Sequence, residues 1–359
     1  MKDSKTLASA SVGRDNNLNL MRVIAAMLVL LSHSFTVATG DSSSEPGRLQ
    51  LGLTLGDFAV DIFFVMSGYL VTKSITRSQS LRHYALARGF RIFPGLWIAL
   101  AISTAIVCVW FTSAPLSHNL LDLEVWRYVL KNAIVVTGPV FGFPGAFSGN
   151  PYPASVNASL WTLPLELWMY IVLAIAWVLS RLLPWKRPDN FQNMVRALAV
   201  VLTVAAIGCV AIGHPSNSLR HASMFYIAAC LYGFQDRVPL RGAAFVTVLA
   251  MLLGAAFLPR LAFEVPYRLL VPYLVLYVAF IPGGFVRRYN CVGDYSYGIY
   301  IYAFPIQQMC AASFPGISVL RLFLLSGALT VVCAMLSWHL IEKAAMQWRV
   351  RKESRALAG

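Results

Sequence analysis

The stretch Leu18-Asn-Leu-Met-Arg22-Val-Ile-Ala-Ala-Met-Leu-Val-Leu-Leu-Ser-His33-Ser-Phe-Thr-Val37 decides the fold. As a helix it is long enough to cross about 30 Å of hydrocarbon. One arginine and one histidine interrupt it. Ionisable groups are costly in hydrocarbon, so inside a span they mark a functional path by default. At 3.6 residues per turn, His33 returns to within about 20° of the Arg22 face, and the helical rise separates the two by about 16 Å. One helix face therefore carries a cation near one membrane surface and a titratable imidazole toward the other.

Comparable apolar runs recur along the chain. With 58% hydrophobic and 12% charged residues in 359, it is not an ordinary soluble globule. The expected spans are 18–38, 55–74, 92–112, 159–183, 197–213, 221–235, 242–258, 267–283, 295–313 and 319–341. The reading is an all-α polytopic integral membrane protein of about ten transmembrane helices. The fifth and sixth runs are short and flank His214-Pro-Ser-Asn-Ser-Leu-Arg-His221, so they are read either as two spans or as a re-entrant pair. An even number of spans places both termini on one side. With that side cytoplasmic, 21 of the 29 Lys and Arg residues fall inside, seven fall outside, and Arg22 stays in the membrane. The expected organisation is a cytoplasmic tail at 1–17, a transmembrane domain at 18–342 and a basic cytoplasmic tail at 343–359. Positive-inside topology and anionic lipid account for the net charge of +14 without nucleic acid. The N-terminal segment lacks the pattern of a cleaved signal peptide, so the first span is read as retained. Six cysteines without a CxxC motif read as packing residues. The six histidines show no metal-ligand spacing.

Other polar features break the apolar background. Asp61-Ile-Phe-Phe-Val-Met-Ser67-Gly68-Tyr69 places a carboxylate in the second span at a depth comparable with His33, with a small-residue surface suited to close helix approach. Arg88-Gly-Phe-Arg91-Ile-Phe-Pro94 puts two arginines on one side of a helix at the inner mouth. That spacing suits a fork around phosphate oxygens, and it also suits plain positive-inside charge. Ser159-Leu-Trp161-Thr-Leu-Pro164-Leu-Glu166 carries a glutamate two turns into an apolar helix, where Pro164 frees backbone carbonyls. Asp294 opens the ninth span as an expected N-cap. Residues 113–158 form the one long connection, rich in turn formers and aromatics, with an interfacial helix expected at 123–137. That connection either lines an acceptor surface or shields helix ends.

In this order these features resemble the membrane-bound acyltransferase-3 family, whose members O-acylate bacterial surface and secreted carbohydrates. The resemblance covers about residues 14–345. It rests on Arg22-x10-His33, Phe63-Phe64-x-x-Ser67-Gly68, Arg88-x-x-Arg91 ahead of Pro94, and Ser159-Leu-Trp161-x-Leu-x-x-Glu166. It implies a cytoplasmic acyl-coenzyme A donor (acetyl-coenzyme A by family default), no permanently bound cofactor, a carbohydrate or lipid-linked glycan acceptor outside, and the bacterial inner membrane as location. It implies functional importance for Arg22, His33, Arg88, Arg91 and Glu166, and makes Ser67, Gly68 and Trp161 candidates for substrate contact. Packing remains the alternative for Ser67 and Gly68. The chain departs from many relatives in reading Tyr302-Ala303-Phe304-Pro305 where they carry a second histidine. It also shows no fused esterase-like domain.

The reaction expected from residue chemistry and resemblance together is O-acyl transfer across the membrane. Arg22, Arg88 and Arg91 would hold the donor phosphates, and His33 would be the general base for the acceptor hydroxyl. Asp61 or Glu166 would orient His33 or hold the acceptor. An acyl-histidine intermediate is the alternative route. A transporter or flippase using the same charges as a proton relay is the competing class, and the repeated halves it would show are absent.

Overall fold

The computed structural model describes residues 5–13, 15–78, 80–182 and 189–358, with the side chains of 49, 50 and 353–358 excepted. Met1–Ser4, Arg14, Gly359 and the Leu183–Pro188 stretch that contributed to the charge count lie outside the described residues. The main helices are α1 (Leu18–Thr39), α2 (Leu55–Thr76), α3 (Leu81–Trp110), α4 (Leu123–Ile134), α5 (Thr162–Leu182), α6 (Asn190–Ala211), α7 (Asn217–Gly233), α8 (Gly242–Ala255), α9 (Arg260–Phe280), α10 (Ser296–Ser313), α11 (Val319–Ser337) and α12 (Lys343–Ala358). Each of the ten expected spans overlaps one of these helices. Among the described residues, seven helical segments are long and apolar enough to cross a membrane unaided. The helices α7, α8 and α10 are not among them.

The chain divides into two compact units. The first comprises 1–22, 57–81 and 165–293, and the second 23–56, 82–164 and 294–359. In the first unit, α6 packs on α7, α8 on α9, and α7 on α9. The described part of the N-terminal segment is docked in this unit, so it is not a free tail. Leu7 is fully buried and its amide donates to the Val238 carbonyl at 2.9 Å. Asn17 Nδ2 donates to the carbonyls of Val278 and Pro282, holding the start of α1 at the end of α9. At Gly68 on α2, a Cβ would collide with the Phe225 carbonyl of α7. Glycine therefore lets these two backbones touch.

Three helices of this unit, α6, α7 and α9, begin earlier than the hydrophobic runs suggested. Ser216 caps α7 by accepting from the Leu219 amide at 3.3 Å, so Arg220 and His221 are helical and buried and do not sit in a loop. Helix α9 starts at Arg260, which places Glu264, Tyr267 and Arg268 inside it, all buried. Counting Arg220 and Arg268 as outer-loop charges is thereby corrected. Both are buried groups with acidic partners.

In the second unit, α10 packs along α11 around a core that includes Val37, Phe304, Cys310, Ala311 and Leu322. The long connection folds onto this core. Its helix α4 spans Leu123–Ile134 within the expected 123–137, and Asp122 Oδ1 caps it by accepting from the Glu124 amide at 2.9 Å. Asn150 Nδ2 donates to Gln308 Oε1 at 2.8 Å. The Gln308 amide in turn donates to the carbonyls of Tyr152 and Ser155, at 2.7 and 2.8 Å. At Gly40, with φ of 75°, a Cβ would lie 2.6 Å from the Pro151 carbonyl, so this turn can hold only glycine without a shift. A π-turn at Trp338–Glu342 joins α11 to α12.

Candidate active site

The second unit holds the His33 group. His33 projects from α1 with its ring edge-on to Phe304 of α10, at 5.3 Å between centroids. Its Nδ1 lies 3.5 Å from Ser159 Oγ on the short 3-10 turn that opens α5. Ser159 is buried, and both of its backbone groups are held. Its amide donates to Asn157 Oδ1 at 3.1 Å, while its carbonyl accepts from the Tyr300 hydroxyl, which also meets Thr162 Oγ1 at 2.5 Å. Asn157 Nδ2 donates to the Ile301 carbonyl at 2.9 Å, tying the same turn to α10. On the other side, Gln307 Nε2 donates to the Leu30 carbonyl and to Ser34 Oγ, both at 2.7 Å, which fixes the helical turn that carries His33. Phe304, Tyr300, Ile301 and Gln307 all come from α10, so this helix positions the histidine.

The arginine pair lies on α3 of the same unit, and Arg91 is already engaged. Its Nη2 is 2.6 Å from Asp294 Oδ2, Nη1 is 3.9 Å from Glu342 Oε2, and the guanidinium sits 5.8 Å from the Tyr297 ring centre. Asp294 therefore spends one oxygen on Arg91 and accepts the Ser296 hydroxyl on the other at 2.6 Å. The expectation that it caps α10 gives way to this role. The π-turn brings Glu342 to this point, where its Oε1 accepts from Ser337 Oγ at 2.9 Å. Arg88 is half-buried one turn earlier on α3. Trp161 is half-buried beside Ser159 in sequence.

The first unit holds the other carboxylates. Glu166 accepts from the hydroxyl of Tyr170 and, at 3.3 Å, from Ser67 Oγ, and these two hydroxyls are 2.9 Å apart. Ser67 thus holds a carboxylate, while Gly68 next to it serves close packing against Phe225. Asp61 is fully buried. Its Oδ1 is 2.7 Å from His221 Nδ1, and its Oδ2 accepts from the Tyr267 hydroxyl at 2.8 Å and lies 3.3 Å from Arg220 Nε. Arg220 Nη2 also reaches Asp57 at 2.6 Å, and Arg268 pairs with Glu264 at 2.7 Å while donating to Ser223 at 3.1 Å. Both Asp61 oxygens are taken, and the imidazole it holds is His221. Asp61, expected either to orient His33 or to hold the acceptor, is engaged here with His221. Arg22 lies half-buried on α1 within this unit.

Sequence reasoning missed His221, Arg220, Tyr267 and Glu342, and it gave Asp294 a different role. One signal was available for His221. Pro215-Ser216-Asn217 is a helix-start pattern, and placing α7 there puts Arg220 and His221 inside a helix. No local signal marks Glu342 as the partner of Arg91, because the two lie far apart in sequence.

A family model described as an acyltransferase domain matches residues 15–339. An O-acetyl transferase of Shigella phage Sf6 is 29% identical over 92% of this chain and 96% of its own length. Nodulation protein 10 of Rhizobium leguminosarum bv. viciae is 28% identical over 97% of this chain and 98% of its own length. No solved structure matches.

Proposed function

The chain belongs to this acyltransferase family and is a multi-pass membrane acyltransferase, and from that premise we propose that it moves an acyl group, acetyl by default, from cytoplasmic acyl-coenzyme A to a hydroxyl of an extracytoplasmic carbohydrate at the bacterial inner membrane. The observation that carries this reading is His33. It is an imidazole inside an apolar helix, fixed by Phe304 and by the Gln307-braced turn, with a hydroxyl-bearing side chain at hydrogen-bond range.

In the proposed reaction His33 removes the proton from the hydroxyl that attacks the thioester carbonyl, and returns it to the departing sulfur. Arg88, Arg91 and Arg22 attract the donor's phosphates. For Arg91 this means exchanging the Asp294 carboxylate for a phosphate, which a guanidinium fork accommodates without loss of hydrogen bonds. Glu166, held by Ser67 and Tyr170, is assigned to the acceptor, since a carboxylate with two ordered hydroxyls beside it suits sugar hydroxyl donors. Incubating the purified protein with acetyl-coenzyme A and following free thiol with and without candidate glycans tests the reading. Acceptor-dependent thiol release is expected. Thiol release that no glycan stimulates, with no acyl found on any glycan, would overturn it.

A further inference from the structure

The hydroxyl beside the base is the protein's own. We propose that Ser159 is a nucleophile that carries the acyl group as a serine ester between donor and acceptor, so that transfer proceeds in two half-reactions. This rests on the proposed function above and deepens it.

The geometry of Ser159 differs from that of the buried serines that close a helical turn on themselves. Ser34, Ser103 and Ser326 each return their hydroxyl proton to a backbone carbonyl one turn earlier, at 2.5 to 2.9 Å. Ser159 sits on a 3-10 turn at the opening of a helix. Among the described residues its side-chain oxygen pairs with His33 Nδ1. A buried hydroxyl needs an acceptor for its proton. With Nδ1 as that acceptor, His33 is the neutral tautomer with its lone pair on Ser159, which is the arrangement that activates a serine. The 3.5 Å separation is loose, as nucleophile–base pairs are before substrate binds. Two contacts hold the serine backbone, and a third anchors one of its partners. Asn157 accepts its amide, Tyr300 donates to its carbonyl, and Asn157 is itself tied to Ile301. Such pinning at both backbone groups suits a side chain that must meet a carbonyl in one orientation.

The steps balance without any other reactant. In the first half-reaction His33 Nδ1 takes the Ser159 proton, Oγ bonds to the thioester carbonyl carbon, the carbon–sulfur bond breaks, and the sulfur leaves as a thiol with the proton from His33. In the second, His33 takes the acceptor's hydroxyl proton, the acceptor oxygen bonds to the same carbonyl carbon, the bond to Oγ breaks, and Oγ recovers the proton.

The full-length protein in detergent, incubated with acetyl-coenzyme A but no acceptor, acid-quenched and peptide-mapped, should carry one acetyl group on Ser159, and adding a glycan acceptor should discharge it. Ser159→Ala should lose the adduct and lower transfer by on the order of 10²-fold or more. Ser159→Cys should trap a thioester that neutral hydroxylamine releases, which covers the case in which the alanine variant fails to fold. An adduct on His33, or near-normal transfer by folded Ser159→Ala, would overturn the serine ester. His33→Ala separates the two ideas. If it is inactive while Ser159→Ala is active, only the serine step fails. If His33→Ala is itself active, the general-base reading fails as well.

Discussion

Asp61 Oδ1 lies 2.7 Å from His221 Nδ1, and the pair is fully buried between α2 and α7 with Tyr267 and Arg220 closing the remaining valences. This carboxylate belongs to a network of Asp57, Asp61, Arg220, His221, Tyr267, Ser223, Arg268 and Glu264 that joins α2, α7 and α9 within one unit. Removing one member of such a network leaves its partners as uncompensated buried charges. Asp61→Asn should therefore cost about 3–5 kcal/mol of stability. A lowered melting midpoint in detergent and reduced membrane levels are expected. Normal stability with a selective loss of turnover would return Asp61 to the chemistry.

His33→Ala should behave in the opposite way. Loss of a general base costs on the order of 10² to 10⁴ in rate, while insertion and thermal stability should stay close to wild type, because the turn that carries His33 is held by Gln307, Ser34 and Leu30 through contacts the histidine does not make. Measured turnover near the wild-type value in a well-folded preparation would remove His33 from the mechanism.

Arg91→Ala should raise the apparent KM for acyl-coenzyme A and leave the acceptor's KM unchanged. Lysine should restore only part, since an ammonium cannot fork. Asp294→Asn removes the carboxylate that competes for the same guanidinium, so donor affinity should rise. If both variants lower only the amount of folded protein, the pair is an internal strut of the second unit and the phosphate site lies elsewhere.

Gly68→Ala should destabilise by about 1–3 kcal/mol, because the new Cβ meets the Phe225 backbone carbonyl, which cannot rotate away as a side chain could. The thermal midpoint should fall. Apparent affinities for donor and acceptor in the surviving folded fraction should not. A change in affinity at unchanged stability would mean that Gly68 contacts substrate.

Sidedness can be read directly. Gly149 lies in the exposed part of the long connection with open space around it. In a background without native cysteines, Gly149→Cys should react with a membrane-impermeant thiol reagent on intact cells. Ser80→Cys, between Arg77 and Arg82, should react only after the membrane is opened. The reverse pattern would put donor and acceptor on the wrong faces.

The sequence by itself determined the class of fold and roughly where the apolar helices lie, and it singled out the ionisable residues inside them, because hydrocarbon forces apolar runs of a set length and makes each ionisable group within them conspicuous. Arg22, His33, Asp61, Arg91 and Glu166 stand out on those grounds alone. Tertiary structure decided what each one touches. A run of hydrophobicity does not report a helix start that is polar, and so α7 and α9 hid Arg220 and Glu264 in what read as connections. Pairing across the chain leaves no local trace either. Asp61 meets His221, 160 positions away, and Arg91 meets Asp294, 203 positions away. Which imidazole a carboxylate orients, and which serine lies on His33, depends on how helices pack, and packing is set by shapes such as the bare face of Gly68 that carry no charge or periodicity to read.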